Sequence, residues 1–189
     1  MFSSSEWILI SGIYGPSVTA MTATENITEA SSPHPIPVRL DFDAHAPGFA
    51  RALGHLDQAA SAELDRADID PRLRELVRVR ASQLNGCAYC IDMHAKDARA
   101  AGESEQRLLA LPAWRETPFF TSRERAALAL TEAVTLMADE HVPAAAYQAV
   151  AAELAPGEIA ALLALVVTIN AWNAIGVTTR AWVPGSYQP

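Results

Sequence analysis

Helix start and stop signals divide the chain from residue 38 onward, and they constrain its fold more than any other feature. Asp70-Pro71 is typical of a helix N-terminus, because the carboxylate caps free N–H groups and proline lacks one. Asn85-Gly86 is typical of a helix end. The run from Thr121 to Glu124 is a capping box, which opens another helix. Since no segment alternates apolar and polar residues as a strand does, the sequence predicts an all-α bundle of about six to eight helices without a sheet.

Apolar residues at helical spacing place these helices along the chain. The predicted ranges are 46–65, 71 to about 84, 87 or 88 to 102, about 103–110, a helix that opens at Thr121, one from Pro143 to about 154, and about 158–180. The residues from Pro112 to Trp114, together with Pro118, are predicted to form a loop. The helix that opens at Thr121 is predicted to bury one apolar face, made of Ala127, Leu130, Val134 and Met137.

The last predicted helix is apolar nearly all round from Ile159 to Ile169, but Thr168, Asn170 and Asn173 interrupt it. This pattern favours a buried core helix over a membrane span. Asn170 and Asn173 lie one turn apart, so we expect buried, hydrogen-bonded side chains with a structural role.

Three regions follow from composition. The stretch from Thr22 to Pro37 is polar and Pro-rich, and residues 1–37 are expected to be a disordered or loosely attached tail, with Met21 a possible true start. Residues 38–183 form the helical domain, and 184–189 are expected to be a C-terminal tail.

The net charge of −8, from 22 acidic and 14 basic residues, argues against nucleic-acid binding. No segment predicts a membrane partner.

The segment from Glu75 to His94 concentrates the reactive side chains. It holds both cysteines of the chain, Cys87 and Cys90, and also Ser82. Two cysteines in 189 residues do not make a secreted disulfide framework. They are more typical of a reactive pair in a reducing compartment, which predicts a cytoplasmic protein.

Helical geometry places these side chains on two helices. Cys87, Cys90 and His94 fall on one face of the second helix, which predicts that both thiols and the imidazole point towards protein. Glu75 lies with Ser82 on the side of its helix opposite the apolar face. That helix alone therefore favours a solvated Glu75, which becomes functional only if another helix or subunit covers it.

A Cys-x-x-Cys pair at a helix N-terminus can form a disulfide, and the helix dipole favours thiolate there. Thiolate attacks peroxide, and the resulting sulfenic acid condenses with the second thiol. His94, oriented by Glu75, could serve as base and acid. The dipole favours Cys87 as the more acidic thiol, whereas proximity to His94 favours Cys90, and this argument does not decide between them.

Two alternatives use the same residues. Cys87, Cys90, His94 and Glu75 could bind zinc, although structural zinc sites usually take a second ligand pair from elsewhere. The thiols could also be purely structural. A thioredoxin fold carries the same motif but requires strands that the pattern lacks.

The chain resembles the AhpD-like alkylhydroperoxidases of the carboxymuconolactone decarboxylase superfamily at these residues. The family pattern of Glu, six residues, Ser, four residues, Cys-x-x-Cys, three residues and His is met at Glu75, Ser82, Cys87, Cys90 and His94. The likeness covers about residues 40–183.

The resemblance implies an AhpD-like helical domain that assembles into homotrimers or homohexamers. It also implies reduction of a hydroperoxide without a cofactor or metal, with Cys90 as the peroxidatic thiol, Cys87 as the resolving thiol, and Glu75 and His94 as the proton relay. Ser82 and Tyr89 are expected to support the site. The reductant would be a thiol or dihydrolipoyl-type donor.

One position departs from the family pattern. The founding members have a histidine between the cysteines, next to the resolving thiol, where this chain has Tyr89. Tyrosine has a much higher pKa and cannot relay protons in the same way near neutral pH. This difference indicates a slower reaction or a different electron donor.

The superfamily leaves other functions open. Its decarboxylases share the fold, lack the cysteine pair and act on a lactone acid, so a non-redox enzyme is one alternative. A helical oligomer whose thiols are structural, sense oxidants or bind zinc is the other.

Overall fold

A computed structural model describes residues 36–189, and within that range the chain is all-α. The nine α-helices of this part are α1 (Phe42–His45), α2 (Pro47–Arg66), α3 (Pro71–Asn85), α4 (Ala88–Ala100), α5 (Glu105–Ala110), α6 (Ser122–Thr135), α7 (Met137–Glu140), α8 (Ala144–Glu153) and α9 (Pro156–Thr179). Seven of them have six residues or more, as predicted, while α1 and α7 are single turns. The tail predicted at 1–37 lies outside the described residues except for its last two.

The helix boundaries follow the capping signals in the sequence. The Asp70 carboxylate accepts a hydrogen bond from the Arg72 backbone N–H at 2.8 Å, and Pro71 occupies the first turn of α3. Gly86 ends this helix in the left-handed conformation, with a φ of 69°. At the start of α6, both hydrogen bonds of the predicted capping box are present. These three predictions are confirmed.

Two sequence predictions in the middle of the chain were wrong. Residues Leu111–Glu116 form a 3₁₀-helix with a kink at Ala113 rather than a loop, because Pro112 fits its first turn and Trp114 is buried beneath it. Pro118 lies in the irregular stretch that follows, as predicted. Met137 is exposed, whereas the other three residues of its predicted face are buried. The reason is that α6 ends at Thr135, so the non-helical Leu136 turns Met137 out of the face.

The last helix, α9, lies at the centre of the bundle and contacts α2, α3 and α6. By length and composition it could cross a membrane, since its 24 residues have a mean hydropathy of 1.8 in the most apolar window. In this fold its apolar residues form the main core, in which Leu162, Leu165 and Val166 pack with Leu64 and Val77. This arrangement matches the prediction of a core helix.

A polar seam joins α9 to α3 beside the core. Asn173 is fully buried and donates to Ser82 Oγ at 3.0 Å, while Asn85 donates to the side-chain oxygens of Asn173 and Asn170 at 2.9 and 2.7 Å. Asn170 also donates to Thr135 Oγ1 at 3.1 Å. The two asparagines are thus hydrogen-bonded as predicted, and they fix the position of α9 along α3, next to the cysteine pair at the start of α4.

Candidate functional site

The two cysteines lie at the N-terminus of α4 and are joined as a disulfide. Gly86 turns the chain between α3 and α4, so that Cys87 caps α4 in an extended conformation and Cys90 lies in its first turn. The Cα atoms are 5.4 Å apart, a separation that suits a disulfide. Both residues are buried, as the helical face predicted.

The Cys87 sulfur lies against α9 at Gly176. A Cβ atom placed on this glycine would lie 3.0 Å from Cys87 Sγ and 3.3 Å from the Trp182 ring. Glycine therefore allows the α9 backbone to approach the disulfide and the indole closely. Cys87 consequently faces the interior of the bundle.

Glu75 and His94 form a buried pair beside the disulfide. Glu75 Oε2 lies 2.9 Å from His94 Nδ1, and both residues are at most 9% exposed. The solvated Glu75 that its own helix favoured is therefore wrong, because α4 packs against the second face of α3 and covers it. The other Glu75 oxygen accepts a hydrogen bond from Arg78, whose guanidinium also lies 3.9 Å from Asp57.

Two opposing effects act on the Glu75 carboxyl. Burial raises its pKa, but the hydrogen bond from His94 and the positive charge of Arg78 outweigh burial and hold the pKa below its ordinary value. Glu75 is therefore ionised near neutral pH, so it can accept a hydrogen bond from the N–H at His94 Nδ1. That hydrogen bond leaves His94 Nε2 for the reacting groups.

A second carboxylate, Asp97, also faces the imidazole, and sequence reasoning missed it. Asp97 Oδ2 lies 3.8 Å from His94 Nδ1, while its Oδ1 accepts a hydrogen bond from Tyr187 Oη at 2.7 Å. That hydrogen bond, with some burial, raises the pKa of Tyr187 to about 12. The three-residue spacing from His94 could have identified Asp97. Nothing in the sequence pattern indicates that Tyr187 returns to α4.

A cleft of about 420 Å³ opens beside these groups. Its walls are mostly aromatic or apolar, with charged groups at one side; the lining residues are Asp43, Ala50, Arg51, Asp57, Arg78, Tyr89, Cys90, Met93, His94, Ile169, Trp172 and Trp182. Cys90 and His94 thus both border the cleft, whereas Cys87 is not among its lining residues. The geometry gives one of the two sulfurs access to a ligand in the cleft.

The two supporting residues occupy different places. Ser82 is fully buried away from the cleft, where its hydroxyl donates to the Arg78 carbonyl at 2.7 Å and accepts from Asn173. It therefore links the helix turn that carries Arg78 to α9. Tyr89 lines the cleft and packs on Trp182, with ring centroids 5.8 Å apart.

The predicted zinc ligands are not brought together in this oxidised state. Both sulfurs are in the disulfide, and the described part of the chain instead clusters Glu75, His94 and Asp97, whose possible ligand atoms lie within 4.8 Å of one another. Each carboxylate of this cluster already accepts a hydrogen bond, Glu75 from Arg78 and Asp97 from Tyr187. The Arg78 cation beside Glu75 disfavours a metal ion there.

The sequence matches a known family over the segment that carries the site. A model of the carboxymuconolactone decarboxylase family matches residues 47–133. The uncharacterized protein YdfG of Bacillus subtilis (strain 168) is 42% identical over 112 residues, which make up 59% of this chain and 76% of YdfG.

Solved structures share the fold. The crystal structure of a protein of unknown function from Agrobacterium tumefaciens, described as a candidate antioxidant defence protein AhpD, has a TM-score of 0.73 and 33% identity, and the match covers 78% of this chain and 99% of that one. The debrominase Bmp8 has a TM-score of 0.64 over 75% of this chain and 74% of its own. Its identity is 19%, so this likeness concerns the fold alone.

Proposed function

Because the chain belongs to the carboxymuconolactone decarboxylase family and has an AhpD-like fold, we propose that it is a thiol-dependent peroxidase that reduces hydroperoxides through Cys87 and Cys90. The observation that carries this proposal is the His94 imidazole, which lies 2.9 Å from the buried Glu75 carboxylate and borders the same cleft as Cys90 of the disulfide. This arrangement combines a thiol that can be oxidised reversibly with a group that accepts and returns its proton.

Cys90 is the attacking thiol in this proposal. It borders the cleft, whereas Cys87 lies against Gly176 of α9. After reduction of the disulfide, His94 takes the proton of Cys90 and the first turn of α4 stabilises the thiolate. Access to the cleft thus favours the same cysteine as proximity to His94, and it outweighs the dipole argument for Cys87.

The reaction follows in two steps. The Cys90 thiolate attacks the terminal oxygen of ROOH, the O–O bond breaks, and the alkoxide leaves as ROH with the proton from His94. Cys90 is then a sulfenic acid. Cys87 attacks its sulfur, and the disulfide forms as water leaves.

A dithiol donor completes the cycle by exchange with this disulfide, and the donor is itself oxidised to a disulfide. The balance is ROOH plus two thiols giving ROH, water and one disulfide, so no metal or organic cofactor is required. A thiol or dihydrolipoyl-type reductant meets this requirement. The tyrosine at position 89 leaves the proton relay to His94 and Glu75 alone among the residues of the family motif.

The lining of the cleft supports an organic hydroperoxide as substrate. Tyr89, Trp172 and Trp182 provide aromatic surface, and Met93 and Ile169 add apolar surface. An apolar R group of ROOH would displace water from these walls, whereas hydrogen peroxide has no such group. We therefore expect a higher kcat/KM for organic hydroperoxides than for hydrogen peroxide.

We also propose that the chain forms a homotrimer or homohexamer. Apolar side chains remain exposed along two adjoining helices, at Phe49 and Leu56 of α2 and at Leu163, Val167 and Val177 of α9. Association would remove this surface from water. Light scattering after gel filtration measures the number of chains directly.

The deciding experiment is a reductant-dependent peroxidase assay with two cysteine variants. Cys90→Ser removes the attacking thiol and is expected to consume no peroxide. Cys87→Ser keeps it but cannot form the disulfide, so without added reductant it is expected to consume about one equivalent of peroxide and to stop as a sulfenic acid that dimedone traps. Reaction of Cys90→Ser at the wild-type rate would refute the proposal.

Glu75→Gln tests the proton relay, with Glu105→Gln as its control. Glutamine keeps the shape of the glutamate side chain but not its charge, so we expect kcat/KM to fall by about 10²-fold. Glu105 is an exposed glutamate that pairs with Arg99 on the far side of α4. Equal activity of both variants would exclude Glu75 from the reaction.

A further inference from the structure

We propose that Tyr187, carried by the segment 181–189 that follows α9, holds Asp97 as a second carboxylate partner of His94, and that both are positioning residues of the site. This inference rests on the proposed function, since it concerns how His94 holds the proton of Cys90. Asp97 and Tyr187 lie outside the family motif, so the inference adds a carboxylate and a phenol to the groups that the motif supplies.

Two hydrogen bonds fix the segment along α4, and an ion pair within α4 joins the two residues that make them. The Gly185 backbone N–H donates to Asp92 Oδ2 at 2.9 Å. Lys96 Nζ donates to the same carboxylate at 2.8 Å and to the Tyr187 carbonyl at 3.0 Å. Together they place the Tyr187 ring so that its hydroxyl reaches Asp97 at 2.7 Å.

The Tyr187 hydroxyl is the one side-chain or backbone group in the described range that hydrogen-bonds the Asp97 carboxylate. The Asp97 side chain is 24% exposed, so without that hydrogen bond it is free to rotate into water. With it, Oδ2 stays 3.8 Å from His94 Nδ1, while Glu75 keeps the shorter hydrogen bond to the same nitrogen at 2.9 Å.

The charges around His94 assign different roles to the two carboxylates. The negative charge of Glu75 is matched by Arg78 on its own helix, and Arg78 is also close to Asp57 of α2. Lys96, the single lysine of the chain, pairs with Asp92. Asp97 accepts a hydrogen bond from the neutral Tyr187 hydroxyl, and no lysine or arginine of the described residues pairs with its carboxylate. It therefore supplies the unmatched negative charge that stabilises a proton on His94 once Cys90 has given it up.

The test measures the thiolate of Cys90 without using peroxide. In a Cys87→Ser background Cys90 is the sole cysteine, and its alkylation by iodoacetamide is followed from about pH 5 to pH 9, a range that spans the ordinary titration of histidine and cysteine. We expect Asp97→Asn to slow alkylation at neutral pH by up to about tenfold and to move the pH–rate profile upward. Tyr187→Phe is expected to act in the same direction with a smaller effect.

Tyr147→Phe is the matched control, because Tyr147 is an exposed tyrosine on α8, a helix that contributes no residue to the lining of the cleft. It should alkylate like the parent. Equal or faster alkylation in Tyr187→Phe would overturn the inference, since Asp97 would then need no restraint. Tyr187→Phe carries the test alone if Asp97→Asn does not fold, as judged by circular dichroism.

The two proposals fail in different ways. If the wild type reduces no hydroperoxide but Asp97→Asn and Tyr187→Phe both slow alkylation in the Cys87→Ser background, the peroxidase function is wrong and the positioning role stands. If the wild type turns over and neither substitution changes alkylation, the positioning role is wrong and the peroxidase function stands.

Discussion

Replacing Gly176 by alanine tests how closely α9 must approach the disulfide. The added Cβ would lie 3.0 Å from Cys87 Sγ and 3.3–3.4 Å from two ring carbons of Trp182. Neither neighbour can move easily. The sulfur is bonded to Cys90, and the indole donates to Asp43 Oδ2 at 3.2 Å and packs edge-on against Trp172.

Two opposing effects decide how much Gly176→Ala changes the free energy of unfolding. Alanine in place of glycine within a helix stabilises by about 1 kcal/mol. Inserting a methyl group into a closely packed interior costs about 1–3 kcal/mol. The net effect of Gly176→Ala is therefore a loss of about 0–2 kcal/mol in the free energy of unfolding.

Gly54→Ala separates the two effects. Gly54 lies within α2, and among residues 36–189 no atom outside its own helix lies within 4 Å of the position its Cβ would take. Gly54→Ala should gain only the stabilisation that alanine gives over glycine within a helix. The free energies of unfolding of the two variants should therefore differ by about 1–3 kcal/mol. For a domain of this size, each kcal/mol moves Tm by about 2–4 °C.

The assay is thermal unfolding of the oxidised protein, followed by circular dichroism at equal concentration. We expect Gly54→Ala to unfold above the wild type and Gly176→Ala at or below it. If Gly176→Ala were as stable as Gly54→Ala, the close approach of α9 to Cys87 would be wrong.

Three further predictions concern the groups around the site. The pKa of Glu75 is lowered in the folded state, so the stability that its carboxylate confers is present above the ordinary carboxyl pKa of about 4.3. That stability is lost as the pH falls through the pKa of the folded state. Glu75→Gln should therefore flatten the plot of unfolding free energy against pH between about pH 5 and 3. Tyr187 should ionise at about 12 by phenolate absorbance, and Asp97→Asn should lower that midpoint towards about 10. Asn173→Ala should lower the free energy of unfolding, measured by urea denaturation, by about 2 kcal/mol or more, because the buried Ser82 hydroxyl loses the hydrogen bond that Asn173 donates.

The helices were predictable because their ends have local chemical causes. A carboxylate before proline at Asp70, a glycine with positive φ at Gly86 and a capping box at Thr121 all act within one turn of chain. The same locality explains the error at Met137. Its apolar character continues the pattern of α6, whereas α6 ends at Thr135 with no glycine or proline nearby to mark that end.

The surroundings of Glu75 could not be predicted from its own helix. Helical periodicity locates one apolar face, but α3 is covered on two faces, by α9 and by α4. A polar residue on the second face is buried only if a partner arrives there, and the partner here is His94, nineteen residues further along the chain. The motif identifies both residues, but the packing that brings them together belongs to the tertiary structure.

The segment 181–189 shows why a motif alone cannot fix the chemistry of this site. Tyr187 lies beyond the family match at residues 47–133, yet its hydroxyl determines where the Asp97 carboxylate stands relative to His94. A relative with the same glutamate, cysteines and histidine but no tyrosine at this place would leave that carboxylate free in water. Its imidazole would then have one fixed carboxylate instead of two, and the imidazole would hold the proton taken from the cysteine thiol less firmly. Two proteins with one motif can therefore differ in thiol reactivity through residues that the motif does not contain.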